Sequence, residues 1–315
     1  MKIHIRVLLV ALLILVSGSG CSVFFEKPPP PLEAPIPTFS DLCQRPTTIF
    51  CQDFDQLPPE DSQGAEGIFH NAGSCEKVKH NPSQACPEIN EGTLKFTVPS
   101  KSGGGASGQY FIRFADFNDG KSIGPGEEVF IQWKQRFSAS FLDTRYKGGS
   151  GWKHGMVGAA DEGSCSSNEI VLQNTLQRGF PQMYHACGKF YLFEQGSDRF
   201  GKDYQPGGPG GMCSYSRGLM SSGCTQYYPD EWLTYQIGIT HGLPGEPSRI
   251  RLWVSREGHQ SKLAIDYQKG LRNNKGYGKM WLLPYHTNKN KNQEHPTGYI
   301  WYDQLIISRT QLPDR

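Results

Sequence analysis

EVFIQWKQRFS, residues 128–138, is the stretch that decides the fold. Its apolar and polar side chains alternate, and this alternation predicts a β-strand with two chemically different faces. The apolar face consists of Val129, Ile131, Trp133 and Phe137. The opposite face carries Gln132, Lys134 and Arg136, with about 7 Å between successive side chains. We interpret this polar row either as a solvated outer face or as the floor of a groove for an anionic or hydroxyl-rich ligand.

The same alternation recurs along the chain in segments separated by turn residues. These segments are TLKFTV (93–98), QYFIRF (109–114), EIVLQNT (169–175), PQMYHAC (181–187), WLTYQIGIT (232–240), RIRLWVS (249–255), KLAIDY (262–267), KMWLLPYH (279–286) and YIWYDQLIIS (299–308). TLKFTV and QYFIRF are predicted to pair through a glycine-rich loop, and EIVLQNT is predicted to neighbour PQMYHAC. Since no amphipathic helix of useful length interrupts the pattern, we expect an all-β fold, an antiparallel β-sandwich of jelly-roll type.

The first twenty residues have the layout of a signal peptide. MKIHIR is basic, VLLVALLILV (7–16) is apolar, and small residues lead to Cys21. The apolar run is shorter than the roughly 20 residues of a membrane span. A cysteine after small residues resembles a bacterial lipoprotein processing site, which implies a lipidated Cys21 and a membrane partner through the lipid anchor. The alternative is plain secretion with Cys21 in a disulfide.

Residues 21–42 contain four consecutive prolines and are predicted to form an extended tether. Residues 43–315 are predicted to form a single domain, because this length can build one large β core. Together these segments predict a protein of the bacterial cell envelope, an outer-membrane lipoprotein facing the periplasm or the exterior.

The nine cysteines fit an exported protein. Without Cys21, eight remain in four couples that are close in sequence, and an oxidising compartment favours disulfides. Proximity suggests the pairs Cys43–Cys51, Cys75–Cys86, Cys165–Cys187 and Cys213–Cys224. None of them has the CxxC spacing of a zinc site.

Composition limits the partners. A formal net charge of +2 does not indicate nucleic acid. The sequence predicts no cofactor and no metal centre; calcium on loop carbonyls and a carboxylate such as Asp303 is the one ion kept open. We expect a monomer.

Residues 151–188 hold the densest set of chemically capable side chains. Those considered for ligand binding or catalysis are Lys153, His154, Gln173, Asn174, Tyr184 and His185. Adjacent strand residues point to opposite faces, so only one of Tyr184 and His185 can look into a groove.

The strands EVFIQWKQRF, MWLLPYHTN and GYIWYDQLIIS resemble concanavalin A-like jelly-roll proteins, especially their polysaccharide-lyase-like branch. The resemblance covers most of residues 48–308 and rests on strand order and short motifs. In that group a closing strand of the form W-Y-D-x-hydrophobic-Ile-Ser pairs near the first strand of the domain. EIVLQNT, RGFPQMYH and WLLPYHTN also resemble a group of bacterial exported lipoproteins without an assigned activity.

The resemblance implies a polysaccharide partner and a concave groove lined by an arginine-bearing strand, a Gln-x-His strand and a Tyr-Lys-rich strand. Gln132, Lys134 and Arg136 occupy a strand of the first kind. Gln173 is followed by Thr175 rather than by histidine, so Tyr184 or His185 has to supply the missing group.

Lyase chemistry on a uronic acid removes the proton beside the carboxylate. It needs a group that neutralises the carboxylate, and a base and an acid near the bridging oxygen. Our candidate catalytic residues are Arg136, Gln173, Tyr184 and His185. Gln132, Lys134, Lys153, His154, Asn174 and Tyr302 are candidates for substrate binding. Asn174 is also considered as a neutraliser, and His154 as base or acid.

Two non-catalytic readings compete with the lyase. Trp152, Tyr184, Trp253 and Tyr302 could stack on sugar rings in a carbohydrate-binding module. A structural envelope protein would instead bury these aromatic side chains and have no groove. Hydrolysis is less favoured, because the chain lacks the Glu-x-Asp-x-x-Glu run of the related glucanases.

Overall fold

The computed structural model describes residues 36–56, 67–69, 75–148, 151–159, 169–174, 181–186, 192–194, 215–216, 219–220, 227–268 and 276–314. Most of this chain is β-structure in two antiparallel sheets. The predicted lipidation site Cys21, the signal peptide, most of the tether and four of the predicted disulfide cysteines (Cys165, Cys187, Cys213 and Cys224) lie outside these residues.

The first sheet has eight strands. Seven of them lie in the order β15-β14-β13-β6-β17-β4-β3, and β1 also pairs with β17. Their bounds are β1 Thr48–Gln52, β3 Glu88–Asn90, β4 Thr93–Val98, β6 Glu128–Phe137, β13 Leu233–Thr240, β14 Arg249–Arg256, β15 Lys262–Tyr267 and β17 Gly298–Ser308.

The second sheet has seven strands in the order β10-β9-β8-β7-β16-β5-β2. Their bounds are β2 Gly67–Phe69, β5 Gln109–Arg113, β7 Trp152–Gly158, β8 Glu169–Asn174, β9 Pro181–Ala186, β10 Leu192–Glu194 and β16 Lys279–Leu282. A separate two-stranded ribbon pairs β11 (Tyr215–Ser216) with β12 (Leu219–Met220).

Helices in the described part of the chain are short. They are α1 Phe39–Cys43, α2 Cys75–Val78, α3 Ala139–Asp143 and a 3₁₀ turn at Phe114–Asp116. Thr38 and Asp41 form a capping box that fixes the start of α1. Among the described residues there is no helix with the length and apolarity needed to cross a membrane.

The core lies between the two sheets and confirms the predicted faces of the central strands. On β6, Val129, Ile131, Trp133 and Phe137 are all fully buried, with a stacked contact of 5.6 Å between the ring centroids of Trp133 and Tyr235. Burying each such large side chain contributes on the order of 2–3 kcal/mol. Alternation at period two therefore positions the polar row of β6 on the outside of the sandwich.

One predicted strand pairing is wrong. TLKFTV and QYFIRF were expected to pair with each other, but β4 pairs with β17 and β3 while β5 pairs with β16 and β2. The glycine-rich loop between them crosses from one sheet to the other. Alternation alone does not distinguish a hairpin from such a crossover, because both sheets bury one face of each strand.

The closing strand pairs with the first strand of the sheet, as the resemblance implied. In β17, Ile307 and Leu305 face Phe50 and Gln52 of β1. Two of the predicted disulfides are confirmed: Cys43–Cys51 ties α1 to β1, and Cys75–Cys86 closes the loop before β3. The predicted all-β sandwich is therefore confirmed.

Candidate functional site

A row of outward-facing side chains crosses the seven-stranded sheet. Met156 on β7 pairs with Trp281 on one side and Val171 on the other, and the row continues to Phe111 and Tyr184 at its ends. Met156, Val171 and Trp281 form a cluster separate from the main core, with Leu283 and Tyr285. This second cluster is the apolar floor of the candidate site.

A β-bulge on β7 adds a lysine to this floor. Lys153 pairs with Gln173 while Gly155 pairs with Leu172, so His154 is the extra residue in the register. A bulge shifts the alternation of side chains along a strand. It allows both Lys153 and Met156 to lie on the outer face, with 3.3 Å between the Lys153 Nζ and the Met156 Sδ.

Lys153 is half-buried and contacts Tyr285. Its ammonium lies 5.0 Å from the centre of the Tyr285 ring, and its backbone N–H donates to the Tyr285 carbonyl at 2.8 Å. Burial lowers the pKa of Lys153, and the nearby Glu169 carboxylate opposes this shift. A lysine with a lowered pKa can serve as a general base.

Tyr184 has the opposite perturbation. Burial raises the pKa of Tyr184 to about 12, with further contributions from Glu169 and Tyr285. The phenol therefore keeps its proton over the physiological pH range and can donate it. Burial therefore shifts the pKa values of Lys153 and Tyr184 in opposite directions on one face of the sheet.

Gln173 lies between these two groups. It is the cross-strand partner of Lys153, and its other partner on β9 is Gln182, two residues from Tyr184. Directly opposed residues in a sheet are about 5 Å apart, and diagonal ones about 7–8 Å. The three side chains of Lys153, Gln173 and Tyr184 therefore lie within reach of one sugar residue.

The polar side chains of this face differ in exposure. Lys153, Gln173, Tyr184 and Tyr285 are half-buried, whereas Glu169 is only 2% exposed. Partial burial reduces the local dielectric, which strengthens charge interactions with a bound ligand.

Three residues predicted to bind substrate are instead part of the interior. His154, Asn174 and Tyr302 are each 0% exposed. The ring of His154 contacts the Gln135 side chain at 3.0 Å, and its carbonyl accepts a hydrogen bond from the Tyr302 hydroxyl at 2.9 Å. Their predicted role in direct substrate contact is wrong, because the bulge and the strand alternation turn them inward.

Burial also removes His154 as a general acid or base. Desolvation lowers its pKa to about 3, so the imidazole is neutral at physiological pH. Because the side chain is 0% exposed, it does not contact a ligand on the surface. Trp152, considered for sugar stacking, is likewise buried, at 1% exposure. These aromatic side chains stabilise the sandwich rather than line a groove.

The predicted grouping of the β6 polar row with Gln173 and Tyr184 is wrong. Lys134 and Arg136 lie on the outer face of the eight-stranded sheet, at the opposite surface of the sandwich. Gln132, on the same face, is only 1% exposed, and its amide donates to the Pro313 carbonyl at 3.3 Å. Arg136 therefore cannot neutralise a substrate held by Gln173.

Two predictions, a role for His185 and a calcium ion at Asp303, have no structural outcome. His185 belongs to β9 and pairs with Ile170, but its side chain lies outside the described residues. No group of three or more His, Cys, Asp or Glu residues able to hold a metal ion occurs within the described ranges. Calcium at Asp303 stays a prediction.

The sequence interpretation missed part of the site. Trp281, Leu283 and Tyr285 alternate within KMWLLPYH, and this pattern would have placed them on one face. Glu169 was noted only as part of a carboxylate-rich segment. Its position beside Lys153 depends on the pairing of β7 with β8, which the sequence does not show.

Comparison with known proteins identifies the fold. No protein-family model and no curated protein matches the chain. The solved structure of the PL-14 alginate lyase from Aplysia kurodai matches with a TM-score of 0.50 and 15% sequence identity, over 85% of this chain and 100% of the lyase.

Two further matches are weaker. The laminarinase catalytic domain from Thermotoga petrophila has a TM-score of 0.42 and 11% identity, over 82% of this chain and 96% of that domain. An alginate lyase from a Chlorella virus has a TM-score of 0.39 and 12% identity, over 73% and 90% of the two chains. At such identities the likeness concerns the fold. Like the Aplysia kurodai structure, the chain is an antiparallel β-sandwich of jelly-roll type, the fold that the sequence predicted.

Proposed function

We propose that this protein is a polysaccharide lyase that cleaves a uronic-acid-containing glycan by β-elimination on the outer face of the seven-stranded sheet. The observation that carries the proposal is the adjacency of Lys153, Gln173 and Tyr184 on that face, together with the opposite pKa shifts of the lysine and the tyrosine. The likeness in fold to an alginate lyase supports the same class of substrate.

Each step of an elimination has a candidate residue. The neutral Lys153 amine takes the proton from the carbon beside the uronate carboxylate. The Gln173 amide donates a hydrogen bond to that carboxylate, where negative charge develops. Tyr184 gives its proton to the bridging oxygen as the carbon–oxygen bond breaks. The products are an unsaturated uronate end and a new free hydroxyl, and no water is consumed. The step leaves Lys153 protonated and Tyr184 deprotonated, and transfer of a proton from the ammonium to the phenolate through solvent restores both residues.

The assignment of the base follows from the local charges. A protonated lysine cannot accept a proton, but burial lowers the pKa of Lys153 and increases the neutral fraction. Burial raises the pKa of Tyr184 to about 12, so the phenol is protonated at neutral pH and carries the proton that the bridging oxygen needs. Arg136, Asn174 and His154 are excluded from these roles by their positions, whereas His185 stays an untested candidate.

The same face also supports a second candidate function, that of a carbohydrate-binding module. The observation in its favour is the apolar floor around Met156, Val171 and Trp281, with the half-buried Phe111 and Tyr184 rings at its ends. Aromatic rings bind the apolar faces of sugars without any chemistry. A binding module would use Lys153 as a cation for the uronate carboxylate.

The experiment that separates the two is an ultraviolet assay for the unsaturated product. Purified protein is incubated with alginate, glucuronan, pectate and glycosaminoglycans, and absorbance is followed over time. A lyase gives rising absorbance on at least one substrate. A flat trace on every substrate, with retained binding on a glycan array, would replace the lyase with the binding module.

The cellular location is part of the proposal. We propose that the chain is anchored to the bacterial envelope by lipid on Cys21, because small residues precede that cysteine. Mass spectrometry of the protein purified from membranes would detect the lipid. In Cys21→Ser the protein would leave the membrane fraction, and unchanged fractionation would contradict the anchor.

A further inference from the structure

A row of aromatic and basic side chains crosses the outer face of the eight-stranded sheet. Trp301 on β17 pairs with Arg136 on one side and with Lys95 on the other. Trp232 directly precedes β13, which pairs with β6. We call Lys95, Trp301, Arg136 and Trp232 the Arg136 strip. It lies on the surface opposite the candidate lyase site.

Arg136 is held in place by two indole rings. Its guanidinium carbon lies 4.5 Å from the centre of the Trp301 ring and 4.9 Å from that of Trp232. Such stacking restricts the rotation of a long side chain and orients its guanidinium. All three side chains are half-buried, so a ligand from solvent can reach them.

Among the described residues, no carboxylate forms an ion pair with Arg136, whereas Arg251 on the same sheet is paired with Glu128. Five other described arginines, Arg113, Arg249, Arg251, Arg256 and Arg309, are paired with acids. Examples are Arg249 with Asp266 and Arg309 with Glu127, at 2.5 and 3.1 Å. A half-buried, oriented guanidinium without a counter-charge is a receptor for an anion.

Arg251 is the matched counterpart on the same face of the same sheet. It also lies between two aromatic rings, 5.3 Å from the centre of Phe130 and 5.2 Å from that of Trp253. Unlike Arg136, it is bonded to the carboxylate of Glu128 and lies 3.2 Å from the Thr240 hydroxyl. The protein supplies its own carboxylate at Arg251 and leaves that position open at Arg136.

We propose that the Arg136 strip is a second carbohydrate site, which binds the carboxylate of a uronate residue to Arg136 and packs the sugar against the Trp232 and Trp301 indoles. The class of ligand, a uronate-containing chain, rests on the proposed function. The site itself is separate from it, since the strip lies on the other sheet. Such a site would hold the polysaccharide while another part of the same chain is cleaved.

The charges of the strip favour a sugar over a lipid surface. Lys95 is already paired with Glu88 at 2.9 Å, so Arg136 is the cation of the strip that is left uncompensated by the described residues. One basic side chain contributes only about 1 kcal/mol to binding an anionic membrane. A bidentate arginine–carboxylate contact is stronger and directional, and it suits a single uronate.

The test counts binding sites by titration calorimetry. The full chain carries Lys153→Arg to prevent cleavage, and the probes are alginate, pectate and glucuronan oligosaccharides with their methyl-esterified forms. Arg136→Gln is compared with the matched Arg251→Gln in this background. We expect Arg136→Gln to remove one site, or to weaken it about tenfold, since a charge-assisted hydrogen bond is lost. Arg251→Gln should keep every site, and the methyl esters should not bind the strip.

Lysine substitutions keep the test informative if either glutamine variant does not fold. Arg136→Lys retains the charge but loses the bidentate fork, so its affinity should fall between those of the parent and Arg136→Gln. Arg251→Lys should bind as the parent does. Circular dichroism confirms folding in each case.

Several results would overturn the proposal. One is an unchanged number of sites and unchanged affinity in Arg136→Gln; another is equal binding of the methyl esters; a third is no binding of any uronate chain by the parent. If Arg136→Gln lost binding to phosphatidylserine vesicles but kept its sugar binding, the strip would instead be a membrane contact. If the lyase face does not bind the oligosaccharides, the parent has one binding site and Arg136→Gln has none. Failure of the proposed lyase function is therefore distinguishable from failure of the Arg136 strip.

Discussion

The two outer faces of the sandwich differ in how they treat their basic side chains. On the seven-stranded sheet, Lys153 is half-buried next to the Tyr285 ring, and burial lowers its pKa. On the eight-stranded sheet, Arg136 is stacked between the indoles of Trp232 and Trp301. A lysine can exchange a proton and an arginine cannot, so the first face suits chemistry and the second suits binding.

The largest expected effect is that of Lys153→Arg. This change keeps a positive charge on the face but removes the group that can be neutral, so product formation should fall by about a thousandfold, within the range for a lost general base. The ultraviolet assay measures this loss. Lys134→Arg, on the opposite face, is the matched control and should be active. Full activity of Lys153→Arg would show that Lys153 is not the base and acts only as a cation that binds the carboxylate.

Tyr184→Phe should lower product formation by about a hundredfold, because the leaving oxygen then takes its proton from water. The change removes one hydroxyl and keeps the ring that packs on the apolar floor. Substrate binding by the variant, measured by calorimetry, should stay close to that of the parent. A loss of affinity with unchanged turnover would show that the phenol binds rather than donates.

Removing the Cys43–Cys51 disulfide should lower the free energy of unfolding by about 2–3 kcal/mol, the chain-entropy estimate for a loop of this size. The bond ties α1 to β1, which pairs with the closing strand of the eight-stranded sheet. Denaturant unfolding of Cys43→Ser with Cys51→Ser measures the effect. Since the bond lies away from Lys153, the activity of the folded variant should not change. A loss of activity in the folded variant would show that the disulfide near the eight-stranded sheet affects the site on the seven-stranded sheet.

The pH dependence should show the smallest effect, about tenfold per pH unit on the acid limb. Burial lowers the pKa of Lys153, so the active neutral amine appears at lower pH than for an exposed lysine. Activity should therefore rise with pH through the lowered pKa, and it should fall only as Tyr184 loses its proton near its pKa of about 12. A rate that falls on going from neutral to alkaline pH would contradict Lys153 as the base.

Much of the fold could be predicted from alternation alone. The faces of β6, with Trp133 inside and Arg136 outside, follow directly from period two. The two local disulfides, Cys43–Cys51 and Cys75–Cys86, follow from sequence proximity. What alternation could not give is the sheet to which a strand belongs, as the separation of β4 from β5 shows.

The candidate site was harder to predict for the same reason. Arg136 and Gln173 both face outward, but from different sheets, and no local pattern distinguishes two outward faces. His154 was misplaced because a one-residue bulge changes the direction of a side chain without any marked sequence signal. Tyr184, by contrast, follows the simple alternation of β9, and the bulge on β7 allows Lys153 to lie on the same outer face.

The most direct test of the central claim, that the seven-stranded face performs elimination, is mass spectrometry of the cleavage products. The account predicts unsaturated oligosaccharides that are one water lighter than the corresponding hydrolysis products. It also predicts that these products are nearly absent with Lys153→Arg and present with Lys134→Arg. Products that all have the masses of hydrolysis products, or equal unsaturated product from both variants, would contradict it.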